Sequence, residues 1–195
     1  MPGNRTIAGA LLIFGAAQFL LIMAACEAML PGYSVRSNMV SDLGIGPTAG
    51  IFNSSLVLLG ACAAASSLFL LRHFGDRMMF GLLGLAGAGA IGAGIFPENT
   101  GLPHVAGAVM VFFFGASAAI WSARRQGKPL AALFVALGIL SLAALALFFM
   151  KVPTPIGAGG MERMIKLPML AWMIAFGGSL LALPEKQEKM AKAGP

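Results

Sequence analysis

The fold is decided by stretches such as Leu130–Met150, which reads LAALFVALGILSLAALALFFM and contains no charged residue. A helix needs about 17–25 mainly apolar residues to cross the roughly 30 Å hydrocarbon core of a bilayer. Five further runs along the chain have a similar length and apolar character. The six runs are 6–26, 51–71, 78–96, 104–123, 130–150 and 167–183. They predict an all-α fold, a polytopic integral membrane bundle of six transmembrane helices.

Composition leads to the same fold class. Hydrophobic residues make up 58% of the 195 residues and charged residues only 10%, whereas an ordinary soluble domain carries about 25% charged residues. Six spans with short connections leave no room for a separate soluble domain. We therefore expect one transmembrane domain, residues 1–183, followed by a polar cytoplasmic tail, residues 184–195.

The distribution of basic residues predicts the topology. If the six runs all span, nine Lys and Arg residues fall on the side of the termini and four on the other side. The positive-inside rule then predicts a multi-pass protein of the cell membrane with both termini cytoplasmic. This pattern accounts for the net charge of +6 without a nucleic-acid partner. The four basic residues on the outer side are Arg36, Lys151, Arg163 and Lys166.

Acidic residues gather on the predicted outer side. Four of the seven, Glu27, Asp42, Glu98 and Glu162, lie at outer helix ends or in outer loops. Ionisable groups near a membrane are costly to desolvate, so their gathering predicts a water-accessible pocket. The alternative is that these loops are simply polar. The polar residues that would join the acids in such a pocket are His104, Arg36, Arg163, Lys166, Ser41, Asn38, Asn53 and Asn99.

His104 is the strongest candidate for chemistry. It follows Pro103, a residue suited to the start of a helix, and the partial positive charge of a helix N-terminus disfavours the imidazolium form. Neutral imidazole suits a general base or a metal ligand. Asp42 would orient His104, or share a divalent ion with it and Glu98. One histidine with carboxylates is not a diagnostic zinc spacing, so the metal and any other cofactor stay undetermined.

Arg163 is the candidate anion-binding residue. Its guanidinium could clamp a lipid phosphate through two parallel hydrogen bonds. It could equally pair with Glu162 or Asp42. The sequence does not decide between these roles.

Small residues predict that the third helix is the packing centre. Residues at intervals of four let helix backbones approach closely in a membrane. The second helix has the pair Gly60 and Ala64 at this interval. The third helix has two such rows, Gly84, Ala88 and Gly92, and Ala86, Ala90 and Gly94.

Several short motifs occur in order at predicted helix ends. They are Ser41-Asp42-Leu43-Gly44, Phe52-Asn53, Phe96-Pro97 ahead of His104, and Glu162-Arg163 before a helix containing Trp172. In this order they resemble a six-helix membrane family known as domain of unknown function 998, over almost the whole chain. The first three also resemble the damage-regulated autophagy modulator (DRAM-like) proteins and their lipid-linked relatives, which implies an association with membrane-lipid handling. The chain lacks the additional histidines of intramembrane metal-dependent lipid hydrolases, which argues against a three-histidine zinc mechanism.

The leading functional hypothesis is an outward-facing pocket that binds a lipid headgroup, and whether it also hydrolyses or remodels the lipid stays open. His104 would be the base, Asp42 its orienting group and Glu98 the partner acid. Membrane lipids are then the expected partners. The alternatives are a non-catalytic lipid sensor or scaffold and, with less support, a small-solute transporter, since no charged residue lies near the middle of any run. The expected ligand-binding residues are Ser41, Asn53, Glu162, Arg163 and Arg36.

Overall fold

The computed structural model describes residues 3–182, which form six long helices and no strand. All six are long and apolar enough to cross a membrane, so the predicted fold class is confirmed. The predicted tail, residues 184–195, lies outside the described residues. The helices are α1 Asn4–Met29, α2 Ala49–Phe74, α3 Arg77–Ile95, α4 Leu102–Ser122, α5 Lys128–Phe149 and α6 Gly157–Ala182.

The helices form a closed ring in chain order. Each packs on the next, and α6 closes the ring against α1, while α4 also touches α6. Large apolar side chains such as Leu21, Leu102 and Met150 are mostly exposed on the outside, as expected of surfaces that face lipid. We call the end formed by residues 30–48, 96–101 and 150–156 the rim.

Aromatic packing joins α5 and α6, and a hydrogen bond links them to α4. Trp172 stacks on Phe176 with ring centroids 5.7 Å apart, and Phe134 meets Phe176 edge to face at 6.0 Å. The Trp172 indole N–H donates to the Ser122 hydroxyl at 2.9 Å. A buried indole N–H needs such a partner, so this bond fixes α6 against the end of α4.

Glycines allow α2 and α3 to touch backbone to backbone. A methyl group added at Gly60 would lie 2.5 Å from the Gly87 carbonyl oxygen, and one at Gly87 would lie 2.7 Å from the Gly60 carbonyl oxygen. Gly94, from one of the two predicted rows, also packs closely, against Val57 and the Asn53 carbonyl. Gly92, from the other row, has no neighbour within 4 Å of its added methyl group. The prediction of a packing centre on α3 was therefore right for one row and wrong for Gly92.

Asp76 holds the end of the bundle opposite the rim. Its carboxylate caps α3 by accepting from the Met79 N–H at 3.1 Å, and it pairs with Arg124 at 2.6 Å and Arg125 at 3.1 Å. Burial acts to raise the pKa of Asp76, but the Met79, Arg124, Arg125 and Trp121 hydrogen bonds outweigh it and lower that pKa to about 2. This one carboxylate joins the α2–α3 and α4–α5 connections.

Two helix starts are informative for the site. α4 begins at Leu102 with Pro103 in its first turn, which confirms the predicted helix start before His104. α6 begins at Gly157, well before the predicted apolar run at 167, and it continues through Pro168. Glu162 and Arg163 therefore lie on a helix and not in a loop, and both side chains bond to the rim.

Candidate functional site

Residues 33–41 cross the rim and are held down by α6. Gly159 donates its N–H to the Arg36 carbonyl at 3.0 Å. A methyl group added at Gly159 would clash with the Asn38 carbonyl oxygen. The glycine is thus required by the close approach of this segment to the first turns of α6.

Arg163 is the main anchor of that segment. One terminal nitrogen donates to the carbonyls of Val35, Asn38 and Gly159 at 2.9–3.2 Å. The other donates to Glu27 at 2.6 Å and to the Tyr33 hydroxyl at 2.8 Å. Both terminal nitrogens are occupied within the protein, and the side chain is only 8% exposed. This geometry gives no support to Arg163 as a clamp for an external anion.

Glu162, the neighbour of Arg163 on α6, is 5% exposed. One carboxylate oxygen accepts from the Val40 N–H at 2.5 Å and, more weakly, from the Ser41 N–H at 3.4 Å. The other oxygen pairs with the Lys166 ammonium group at 2.6 Å, one helical turn along α6. Glu162 therefore positions Ser41 while part of its surface borders a cavity.

Glu98 is the acid that the fold leaves least satisfied. Its Oε2 atom is shielded from solvent and has no hydrogen-bond partner among residues 3–182. Burial raises the pKa of this carboxyl group. A hydrogen bond from the Ser41 side chain opposes the shift, and the nearby Asp42 and Glu162 carboxylates add to it. A shielded carboxylate oxygen without a donor is energetically costly, so Glu98 is suited to bind a proton or a cationic donor.

His104 is oriented by backbone carbonyls and not by Asp42. Its Nδ1 lies 2.9 Å from the Phe96 carbonyl oxygen and 3.3 Å from that of Ala93. The helical donor for Ala93 would be residue 97, a proline without an N–H, so His104 supplies the missing bond. Carbonyl oxygens only accept, which places a proton on Nδ1 and leaves Nε2 as the acceptor of a neutral ring.

Asp42 instead closes its own turn. It accepts from the Met39 N–H at 2.8 Å and from the Asn38 amide at 3.4 Å. The predicted Asp42–His104 hydrogen bond is absent from the described residues, and Asp42 is engaged by the Met39 backbone and the Asn38 side chain instead. Asp42 remains near the site through its effect on Glu98.

A cavity of about 220 Å³ brings four of the predicted residues together. Ser41, Glu98, His104 and Glu162 form its polar part at the rim. One face of α4 and the end of α5 form its apolar wall, which the sequence analysis did not predict. That wall contains Val105, Ala108, Val109, Phe112, Leu145, Phe148 and Phe149, with Met39 above it.

Two predicted residues lie away from this cavity. Asn53 donates its amide to the Gly44 carbonyl at 3.0 Å and lines a separate open depression with Ser54 and Gly94. Arg36 is exposed, and its backbone serves the contact with α6. Both thus stay predictions as ligand-binding residues, without a shared location to support them.

The structure gives roles to two further residues near the rim, Tyr33, which was not predicted, and Lys166, which was. Tyr33 links Arg163 to the Met39 carbonyl, to which its hydroxyl donates at 2.9 Å. Lys166 neutralises Glu162, and the spacing of four between them was a visible sequence signal for a helical ion pair. Within the described chain, no three His, Cys, Asp or Glu side chains are grouped so as to hold a metal ion, so the idea of a shared divalent ion gains no geometric support.

Comparison with known protein families gives a match over most of the chain. Residues 13–179 match a family model described as "Protein of unknown function (DUF998)". No curated protein and no solved structure matches the chain.

Proposed function

The chain belongs to the DUF998 family of integral membrane proteins, and we propose that it binds a membrane lipid or similar amphiphile in the cavity between α4 and α5. The observation that carries this proposal is the division of the cavity wall. Ser41, Glu98, His104 and Glu162 lie at one end, and the rest of the wall is mainly aliphatic and aromatic. An amphiphile has the same division between headgroup and chain.

The size of the cavity sets how much of the ligand it would hold. Pockets that enclose a drug-sized ligand have about 300–1,000 Å³, and this cavity has about 220 Å³. A whole lipid does not fit. We infer that the headgroup and the first part of the chain enter, while the rest of the chain stays in the bilayer beside α4 and α5.

We further infer that the rim faces away from the cytoplasm. The basic residues Arg72, Arg77, Arg124 and Arg125 lie at the opposite end, which the positive-inside rule assigns to the cytoplasm. Labelling of single cysteines placed at Ser37 and at Gln126 in intact cells would test this. If a membrane-impermeant reagent labelled Gln126→Cys but not Ser37→Cys, the rim would face the cytoplasm and the inferred orientation would be wrong.

Hydrolysis or remodelling of the bound lipid is a second candidate, favoured by the orientation of His104. With Nδ1 held by two carbonyls, Nε2 is available as a general base. Glu98, on the wall of the same cavity, would be the partner acid, and Asp42 would act through Glu98. Transport has less support. Gln18, a polar residue within the α1 span that could line a path for a solute, is already engaged with Ser55 of α2 by hydrogen bonds of 2.8 and 3.0 Å.

The test is lipid binding in nanodiscs, with two matched tryptophan variants. Ala108→Trp fills the cavity, whereas Ala106→Trp adds the same bulk to an exposed position on α4 outside it. We expect mass spectrometry to detect co-purified lipid in the wild type and Ala106→Trp, and about tenfold less in Ala108→Trp. Equal lipid in both variants would refute the proposed site. Product formation that His104→Gln abolishes would assign catalysis, and binding without product would assign a sensor or scaffold.

A further inference from the structure

The charge of the cavity indicates which headgroup it accepts. Glu98 and Glu162 border the cavity and Asp42 lies beside Glu98, so three carboxylates face one ammonium group, that of Lys166. Arg163, the neighbour of Glu162 on α6, is paired with Glu27. The polar end therefore carries an excess of negative charge.

The hydrogen-bonding groups of the polar end are mainly acceptors. Glu98 Oε2 has no donor within the described chain, and Nε2 of a neutral His104 ring is an acceptor, since Nδ1 serves the Phe96 carbonyl. The Ser41 hydroxyl can accept as well. A primary ammonium group carries three donors and no acceptor, so it complements both the charge and the hydrogen-bonding pattern of these residues.

The aromatic wall is compatible with a cation. The Lys166 ammonium nitrogen lies 5.7 Å from the centroid of the Phe112 ring, which also lines the cavity. Aromatic faces attract ammonium groups at such distances, more strongly where water is excluded. An anionic headgroup would instead meet the Glu98 carboxylate, and Lys166 and Arg163 are already paired with Glu162 and Glu27.

We propose that the cavity selects amphiphiles that carry a primary ammonium headgroup, with Glu98 as the residue that recognises it. This inference rests on the proposed function, because it requires that the cavity take up a lipid headgroup at all. The sequence had suggested that Arg163 binds an anionic phosphate, but Arg163 is paired with Glu27, so the selectivity proposed here is for a cation.

The experiment compares three phospholipids with identical acyl chains in nanodiscs of mixed composition. Phosphatidylethanolamine offers a primary ammonium, phosphatidylcholine a quaternary ammonium without N–H donors, and phosphatidylglycerol an anionic headgroup. Native mass spectrometry reports the lipids retained by the wild type, Glu98→Gln and Ala108→Trp. We expect phosphatidylethanolamine to be enriched about tenfold over each competitor, as one charge-assisted hydrogen bond allows.

Glu98→Gln keeps the shape of the side chain and removes its charge, so it should abolish the enrichment while lipid is still retained. Retention of all three lipids at equal levels, lost in Ala108→Trp, would overturn the headgroup inference and leave the proposed function standing. A preference for phosphatidylglycerol, or an ethanolamine preference unchanged in Glu98→Gln, would overturn the inference as well. Retention that Ala108→Trp does not reduce for any lipid would overturn the proposed function itself.

Discussion

Replacing Arg163 with methionine should destabilise the protein strongly, because the guanidinium is consumed by the fold. The change removes hydrogen bonds to three carbonyls, to Tyr33 and to Glu27. Removing one partner of a buried ion pair costs about 3–5 kcal/mol. Glu27 keeps 20% of its side chain exposed and would be partly hydrated after the change, so we expect a loss near the lower end, about 3 kcal/mol.

Two buried cysteines provide the assay. Cys26 is 0% exposed and Cys62 is 4% exposed, so a thiol-reactive fluorescent dye reports unfolding of the detergent-solubilised protein. For a chain of this size, 1 kcal/mol shifts Tm by about 2–4 °C, and the expected loss corresponds to about 6–12 °C. Arg163→Lys should lose less stability than Arg163→Met, because lysine keeps the charge, although it lacks the planar fork of donors.

Arg36→Met is the matched control, because Arg36 is an exposed arginine on the segment that Arg163 holds. An exposed substitution of this kind changes stability by no more than about 0.5 kcal/mol. If Arg163→Met were as stable as Arg36→Met and had lost lipid binding instead, Arg163 would be a ligand-binding residue and the anchoring role would be refuted.

Three further predictions follow from single contacts. Gly87→Ala should lower Tm, because the added methyl group meets the α2 backbone. Gly92→Ala should be neutral or stabilising, because the space around Gly92 is open. Equal Tm changes for the two variants in the dye assay would contradict the packing described. The pKa of Asp76 falls from 3.8 in the unfolded chain to about 2 in the fold, so about 2 kcal/mol of stability is present above pH 4 and lost as the pH falls towards 2. Trp121 fluorescence, measured in a Trp172→Phe background, should follow this loss. Asp76→Asn should lack the pH dependence. Burial raises the folded pKa of Glu98 above 4.5, so stability should decrease as the pH rises through that pKa; a Glu98→Gln profile parallel to that of the wild type would exclude this contribution.

The fold was predictable because each span carries its own signal. Six apolar runs of sufficient length leave few options in a bilayer, where backbone groups must be satisfied within helices. The start of α4 at Pro103 was equally local. The small-residue rows were less informative, since Gly92 and Gly94 have the same side chain and only the position of α2 decides which one packs. Sequence spacing alone cannot supply that position.

The candidate site was predictable as a group but not in its internal pairing. The gathering of Ser41, Glu98, His104 and Glu162 at one end followed from topology, and the structure places them around one cavity. Which residue pairs with which depends on contacts across more than 100 positions, such as Arg163 with Glu27. The sequence also held a signal for the orientation of His104 that the prediction did not use. Pro97 has no N–H to donate to the Ala93 carbonyl, which His104 Nδ1 contacts instead.

The distinction between structural and available charges decides what the rim can bind. Glu27 pairs with Arg163, and Glu162 bonds to Val40 and Lys166. A ligand would have to displace these partners, so Glu27 and Glu162 would gain little from binding it. Glu98 has no such donor for Oε2 among the described residues. A ligand that provides one would recover the cost of shielding that oxygen, and this recovery would stabilise the complex relative to the empty protein. The specificity of the site should therefore follow the group that the fold leaves unsatisfied, and a headgroup that ignores Glu98 should gain little by entering.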